Sequence, residues 1–300
     1  MGRSCSGKTS MRSVIFANYI ARDTSRLGAT IDVEHAHVKF LGNLVLHLWD
    51  CGGQEVFMEN FLNAQKDQIF KGVQVLIYVF DIDSKDEKDF EYYSKCVASL
   101  MRNSPTAKVF VLLHKIDLIP PEIKDQVYRE KVNKVIASTK GMPDERLELL
   151  RQCCFMSSIW DETLYKAWSA IVHLLIPSID IIEKHLMEFA KIMEASEVLL
   201  FEKATFLSIA KAEVEHHDDL QRFEKLSNII KQFKLSVSRI GSHFECLEIR
   251  NRDFACFIDS FTENTFIMVV VPDGNVSSAT ILMNIKSVKR NFESLTTAAE

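Results

Sequence analysis

Met11, Ile15 and Tyr19 recur at i, i+4 and i+8 and predict a helix directly after residues 2–9. Polar residues 22–32 read as a loop, and residues 37–41 and 43–49 as two strands about a turn at Gly42-Asn43. Residues 73–80 are continuously apolar, as a strand buried on both faces requires. Phe90, Tyr93, Val97 and Leu100 mark one helical face over 86–100, and residues 109–113 form a second buried-type strand. A helical stretch runs from Pro120-Pro121 to about Ser138, Gly141-Met142-Pro143 breaks it, and residues 153–156 form a short strand. Leu164, Trp168, Ile171 and Leu175 then mark a helix stopped by Pro177. This alternation predicts a parallel, doubly wound α/β sheet.

From Ile179 the pattern changes. A helix through Ile182, Leu186, Phe189 and Met193 precedes strands at 198–201 and 205–210, and a second helix passes through Leu220, Phe223, Leu226, Ile230 and Phe233. Strands at 244–249, 254–261 and 266–271 and a closing helix at 280–292 complete an α-β-β-α-β-β-β-α order. Without glycine-rich loops or clustered catalytic side chains it reads as an interaction domain, and the chain divides into domains at 1–178 and 179–300.

Composition narrows the function classes. Apolar residues make up 47% and charged residues 26% of the 300, enough for two cores. A net charge of −5 argues against a nucleic-acid binder held by phosphate contacts. The seven cysteines include no C-x-x-C pair, so neither a disulfide framework nor a zinc site is suggested, and a reducing compartment is expected. The longest apolar runs, 75–80 and 267–271, fall far short of the roughly 20 residues that span a bilayer, and no signal peptide is visible. Met1 to Ser6 matches a myristoylation pattern, but Gly2 is already claimed by the motif described next. Direct membrane insertion is not expected.

Gly2-Arg3-Ser4-Cys5-Ser6-Gly7-Lys8-Thr9 reads G-x-x-x-x-G-K-[ST], a phosphate-binding loop. Its backbone N–H groups turn toward α/β-phosphates, Lys8 reaches β/γ-phosphates, and the Thr9 hydroxyl can ligate Mg²⁺. Asp50-x-x-Gly53 at the end of a strand adds a carboxylate for a Mg²⁺-bound water and an N–H for a γ-phosphate oxygen. Gln54 is placed to orient an attacking water, and Thr30 offers a second hydroxyl to the metal. The run His114-Lys115-Ile116-Asp117 occupies the place of an N-K-x-D guanine-reading motif. Asp117 can accept from N1–H and the exocyclic amine of guanine, a pair that adenine does not present, and Lys115 can lay its stem along the purine. Ser157-Ser158-Ile159 would close the base site with a backbone N–H, so GTP is preferred over ATP.

Residues 28–35, 49–54, 114–117 and 158–165 together resemble the Rag GTPases of the A/B type, and the likeness extends to residues 222–235. It implies a Ras-like, doubly wound P-loop GTPase domain followed by an α+β roadblock-type domain that pairs with a C/D-type Rag. It further implies a lysosomal or vacuolar Ragulator-type scaffold that recruits an otherwise cytoplasmic protein, and recruitment of the target-of-rapamycin complex when amino acids are plentiful. Slow hydrolysis assisted in trans by a GTPase-activating protein completes the expectation. The candidate set is then Gln54, Lys8 and Gly53 for catalysis. Arg3, Ser4, Cys5, Ser6, Gly7, Lys8, Thr9, Ser10, Thr24, Thr30, Gly53, His114, Lys115, Asp117, Ser158 and Ile159 hold GTP or GDP, and Thr9, Thr30 and Asp50 hold Mg²⁺, the last through water.

Two departures accompany the likeness. Cys5 stands where the family has glycine, at a position that often needs unusual dihedrals. Only Met1 precedes the loop, so the central first strand is missing and Met1 is read as an internal methionine of a longer protein. Rival readings are a metabolic ATPase, a nucleotide-deficient scaffold acting through its C-terminal domain, and metal sites at His35/His37 or His216/His217.

Overall fold

The computed structural model describes residues 1–39, 44–56, 69–176, 179–215 and 222–297. The expected turn at Gly42-Asn43, the stop at Pro177, Leu220 and the pair His216/His217 lie outside the described residues. Two compact units result, one of Met1–Ala36 with Leu48–Ala167 and one of His37–His47 with Trp168–Glu300.

In the first unit, β3 (Val75–Asp81), β4 (Lys108–His114) and β5 (Cys154–Ser157) form a parallel sheet in that order. The apolar runs that predicted β3 and β4 are buried, Tyr78, Val111, Leu112 and Leu113 completely. Helix α2 (Lys88–Asn103) lays Phe90, Tyr93, Val97 and Leu100 into the same core, Tyr93 meeting Tyr78 edge-on. Helices α3 (Lys124–Ser138) and α4 (Asp144–Gln152) follow, and after β5 comes α5 (Thr163–His173), the helix predicted through Leu164, Trp168 and Ile171. The sequence reading missed α4, because Leu150 is buried in it while Leu149 is exposed, which leaves no continuous apolar stripe.

Strands β1 (Val33–Lys39) and β2 (Val45–Cys51) form a separate two-stranded sheet. Among the described residues β2 and β3 share no ladder. Met1 takes one strand position beside β3: its amine donates to the Ile77 carbonyl at 2.7 Å, and its carbonyl accepts from the Val79 N–H at 2.9 Å. Two further main-chain bonds tie the loop's surroundings together, Ser4 N–H to Gly53 O at 2.7 Å and Gly52 N–H to Asp32 O at 3.0 Å. The loop that follows Met1 is thereby fixed at the C-terminal edge of the sheet.

The second unit carries helix α6 (Ile179–Ile192), β6 (Glu197–Glu202), β7 (Ser208–Glu213), α7 (Arg222–Arg239), β8 (Cys246–Arg250), β9 (Ala255–Ser260), β10 (Thr265–Val271) and α8 (Ser278–Thr297). The observed order of helices and strands is the predicted one. All pairings are antiparallel, in the order β7-β6-β10-β9-β8, so β10 and β6 are central and β8 is an edge. Ile182, Leu186, Phe189 and Ala190 make one buried stripe on α6, while Phe201, Phe206 and Phe266 fill the core beneath α7.

Candidate functional site

Helix α1 (Lys8–Phe16) starts where the motif ends, with Gly7 at its N-cap in a left-handed conformation, φ 92°. A Cβ there would stand 2.5 Å from Cδ2 of His114, so glycine is required on two counts. The helix ends at Phe16, short of the predicted Tyr19, because Asn18 adopts φ 58°, the left-handed geometry that stops helices. Lys8 donates its ammonium to the carbonyls of Gly2 and Arg3, both at 2.8 Å, and burial pushes its pKa down. Cys5 sits at φ 62°, the strained geometry that its position in the motif anticipates.

Beside the helix start, the Thr9 and Thr30 hydroxyls meet at 2.7 Å. Asp50, at the end of β2, is buried, and among the described residues its Oδ2 has no hydrogen-bond partner. Gly53 is pressed against the loop so closely that a Cβ would lie 2.4 Å from Arg3 C and Ser4 N. Among the described residues the Gln54 Oε1 next to it is buried and has no hydrogen-bond partner.

At the other end, His114 closes β4 and is buried between Gly7 and Ser157, its Nδ1 3.0 Å from the Ser157 hydroxyl. Burial pushes the imidazole pKa down to about 4. Lys115 adopts φ 65° and pairs with Asp81 at 2.6 Å. The exposed Asp117 carboxylate accepts from the Ser158 hydroxyl at 2.5 Å. The Ser158 N–H is already given to Thr163 Oγ1 at 2.9 Å.

These elements surround one cavity of about 390 Å³, lined by Ser4, Cys5, Gly7, Lys8, Thr9, Ser10, Thr30, Gly53, His114, Lys115, Asp117 and Ile159 from the predicted set. That is the size of a pocket for one small ligand. Its lining also includes Leu27, Gly28, Ala29, Leu118 and Trp160, which the sequence reading did not assign; each directly adjoins an assigned residue or the segment leading to Thr30. Several predicted residues stand outside the lining. The Thr24 hydroxyl is spent on the Ala21 carbonyl at 2.7 Å inside a 3-10 turn, Ala21–Arg26, and is buried away from the cavity. Arg3 turns its guanidinium to Asp86, Ser6 is buried, and the Ser158 hydroxyl is given to Asp117. Asp50 and Gln54 are not part of the cavity lining. Of the two rival histidine pairs only His35/His37 lies among the described residues, with His35 edge-on to Trp49 and His37 Nδ1 2.7 Å from His47 Nδ1.

The family model described as the Gtr1/RagA G protein conserved region matches residues 1–230. Ras-related GTP-binding protein A of Dictyostelium discoideum is 54% identical over 98% of this chain and 95% of its own length. The GTP-binding protein gtr1 of Schizosaccharomyces pombe is 52% identical over 100% of this chain and 96% of its own. Ras-related GTP-binding protein C of Homo sapiens is 25% identical over 70% of this chain and 51% of its own. Matched over most of its length, with a phosphate loop, a strand-end aspartate and a base loop around one cavity, the chain belongs to the Gtr1/RagA G protein family.

Proposed function

We propose that this chain is a GTP-binding switch that hydrolyses GTP slowly. The observation that carries this reading is the convergence of the phosphate loop, Thr30, Gly53 and the His114–Asp117 run on one cavity. Thr9 and Thr30 suit a Mg²⁺ ion, since two hydroxyl oxygens already stand together and the nearby Asp50 Oδ2 has no hydrogen bond to give up. Bound there, Mg²⁺ would neutralise charge on the β- and γ-phosphates. Asp117 reads the two guanine donors, held in place by Ser158. Lys8 leaves the Gly2 and Arg3 carbonyls for phosphate oxygens, and the Gln54 carbonyl, unpaired here, orients the attacking water. Among the described residues no arginine lines the cavity, which supports help in trans from an activating protein, worth about 10³ to 10⁵ in rate.

The second unit, taken as a roadblock-type domain over 179–300, pairs with a C/D-type Rag in this reading. Edge strand β8 is largely exposed, and α7 carries Ile229 and Phe233 at 63% and 47% exposure, an edge and an apolar face suited to a similar domain. Much higher identity to A-type than to C-type relatives supports placing this chain on the A/B side. The heterodimer then relays amino-acid sufficiency to the target-of-rapamycin complex from a Ragulator-type scaffold on the lysosome or vacuole. No described helix is long and apolar enough to cross a membrane.

A second reading, a nucleotide-deficient dimerisation subunit, is favoured by the left-handed Cys5 in the phosphate loop. Competition of GTP and ATP for a labelled guanine nucleotide, on the chain co-expressed with a C/D-type partner, separates the readings. Displacement by GTP alone supports the switch, displacement by both supports an ATPase, and a stable heterodimer without nucleotide supports the scaffold. Gln54→Leu should retain GTP and hydrolyse it poorly even with an activator; unchanged turnover would refute the role given to Gln54.

A further inference from the structure

Arg12 stands one turn beyond Thr9 on α1, on the same face. Its guanidinium has two acidic neighbours from different elements. Nη2 binds Glu34 on β1, and Nε lies 3.3 Å from Asp50 Oδ2 at the end of β2. The Asp50 side chain is only 5% exposed, so its charge needs a counter-charge, and Arg12 provides the nearest one. Neither Arg12 Nε nor Asp50 Oδ2 makes a hydrogen bond, so the contact is ionic and leaves that oxygen able to accept from another donor. Helix α1 therefore grips residues 30–34 at two points, Thr9 on Thr30 and Arg12 on Glu34, while touching Asp50 with the second grip.

We infer that Arg12 is a positioning residue that tethers residues 30–34 to Asp50, so that closure of this segment over the phosphate end of the cavity is coupled to the Asp50 carboxylate. The inference rests on the GTPase reading for its functional meaning, although the tether itself is present without a ligand. Removing Arg12 takes away the Asp50 ion pair, leaving Lys8 and the Met1 ammonium as the positive charges acting on that carboxylate, and frees Glu34. Removing the Glu34 charge frees the segment alone and leaves Arg12 on Asp50. The half-exposed Glu34 can be neutralised without a burial cost, so Glu34→Gln keeps the test open if Arg12→Ala fails to fold.

The test is hydrogen–deuterium exchange over residues 30–36 of the full chain, without nucleotide and with methylanthraniloyl-GDP and Mg²⁺. Arg12→Ala and Glu34→Gln should each raise exchange about tenfold and speed release of the labelled GDP severalfold. The double variant should exchange no faster than Arg12→Ala, because the Arg12–Glu34 contact that Glu34→Gln removes is already lost in Arg12→Ala. Wild-type exchange in both single variants overturns the tether, as does full additivity in the double variant. Failure of the unmodified chain to bind labelled GDP would sink the GTPase reading instead, while the nucleotide-free exchange still decides the tether.

Discussion

The hydroxyls of Thr9 and Thr30 stand 2.7 Å apart, although 21 residues separate them. One opens α1 and the other closes the loop that follows it, so their meeting marks where that loop is drawn over the phosphate end of the cavity. Thr30→Ala should leave the fold intact and weaken Mg²⁺-dependent retention of GTP by tenfold or more, measured as the rate of labelled-GTP release with and without chelator. Release that stays equally Mg²⁺-sensitive would remove Thr30 from the metal site.

Cys5 carries a side chain where φ is 62°. The left-handed conformation costs a residue with a Cβ about 1–2 kcal/mol, and the greater unfolded-chain freedom of glycine returns part of that. Cys5→Gly should therefore stabilise the chain by about 0.5–1 kcal/mol, read as a shift in the denaturant midpoint at constant slope. It should also tighten nucleotide binding by freeing the loop to close on phosphate. A lower midpoint would mean that the thiol makes a compensating contact.

His114 supplies the pH dependence. Burial holds its folded-state pKa at about 4, below an unfolded value near 6.5. The unfolded chain therefore takes up a proton first as pH falls, so the stability from neutral His114 is complete above about 6.5 and lost down to about 4. The loss is on the order of 3 kcal/mol. His114→Asn should flatten the stability profile by close to one proton across that window, compared with the unmodified chain under the same conditions. A difference profile with no slope there would show that His114 is not held neutral.

Much of this was legible in the chain, and the exceptions share a cause. The runs that became β3 and β4 are apolar because both faces are covered, and the Phe90, Tyr93, Val97, Leu100 stripe has helical spacing because α2 covers one of those faces. The site residues were legible where a motif fixes them in order, as in the phosphate loop and the His114–Asp117 run. Where tertiary contacts decide, spacing was silent. Thr24 carries a suitable hydroxyl but spends it within its own turn, Trp160 reaches the cavity by following Ile159, and Arg12 finds Glu34 and Asp50 only once β1 and β2 have been laid beside α1. Helix α4 escaped because its face is mostly solvated.

The central claim is that this cavity holds a guanine nucleotide, and the most direct measurement is a fluorescence titration of the full chain, co-expressed with a C/D-type Rag, against labelled GTP with Mg²⁺. Saturable binding, displaced by GTP and GDP but not by ATP and lost in Asp117→Asn, is the expected result. No binding, or displacement by ATP as readily as by GTP, would contradict the account.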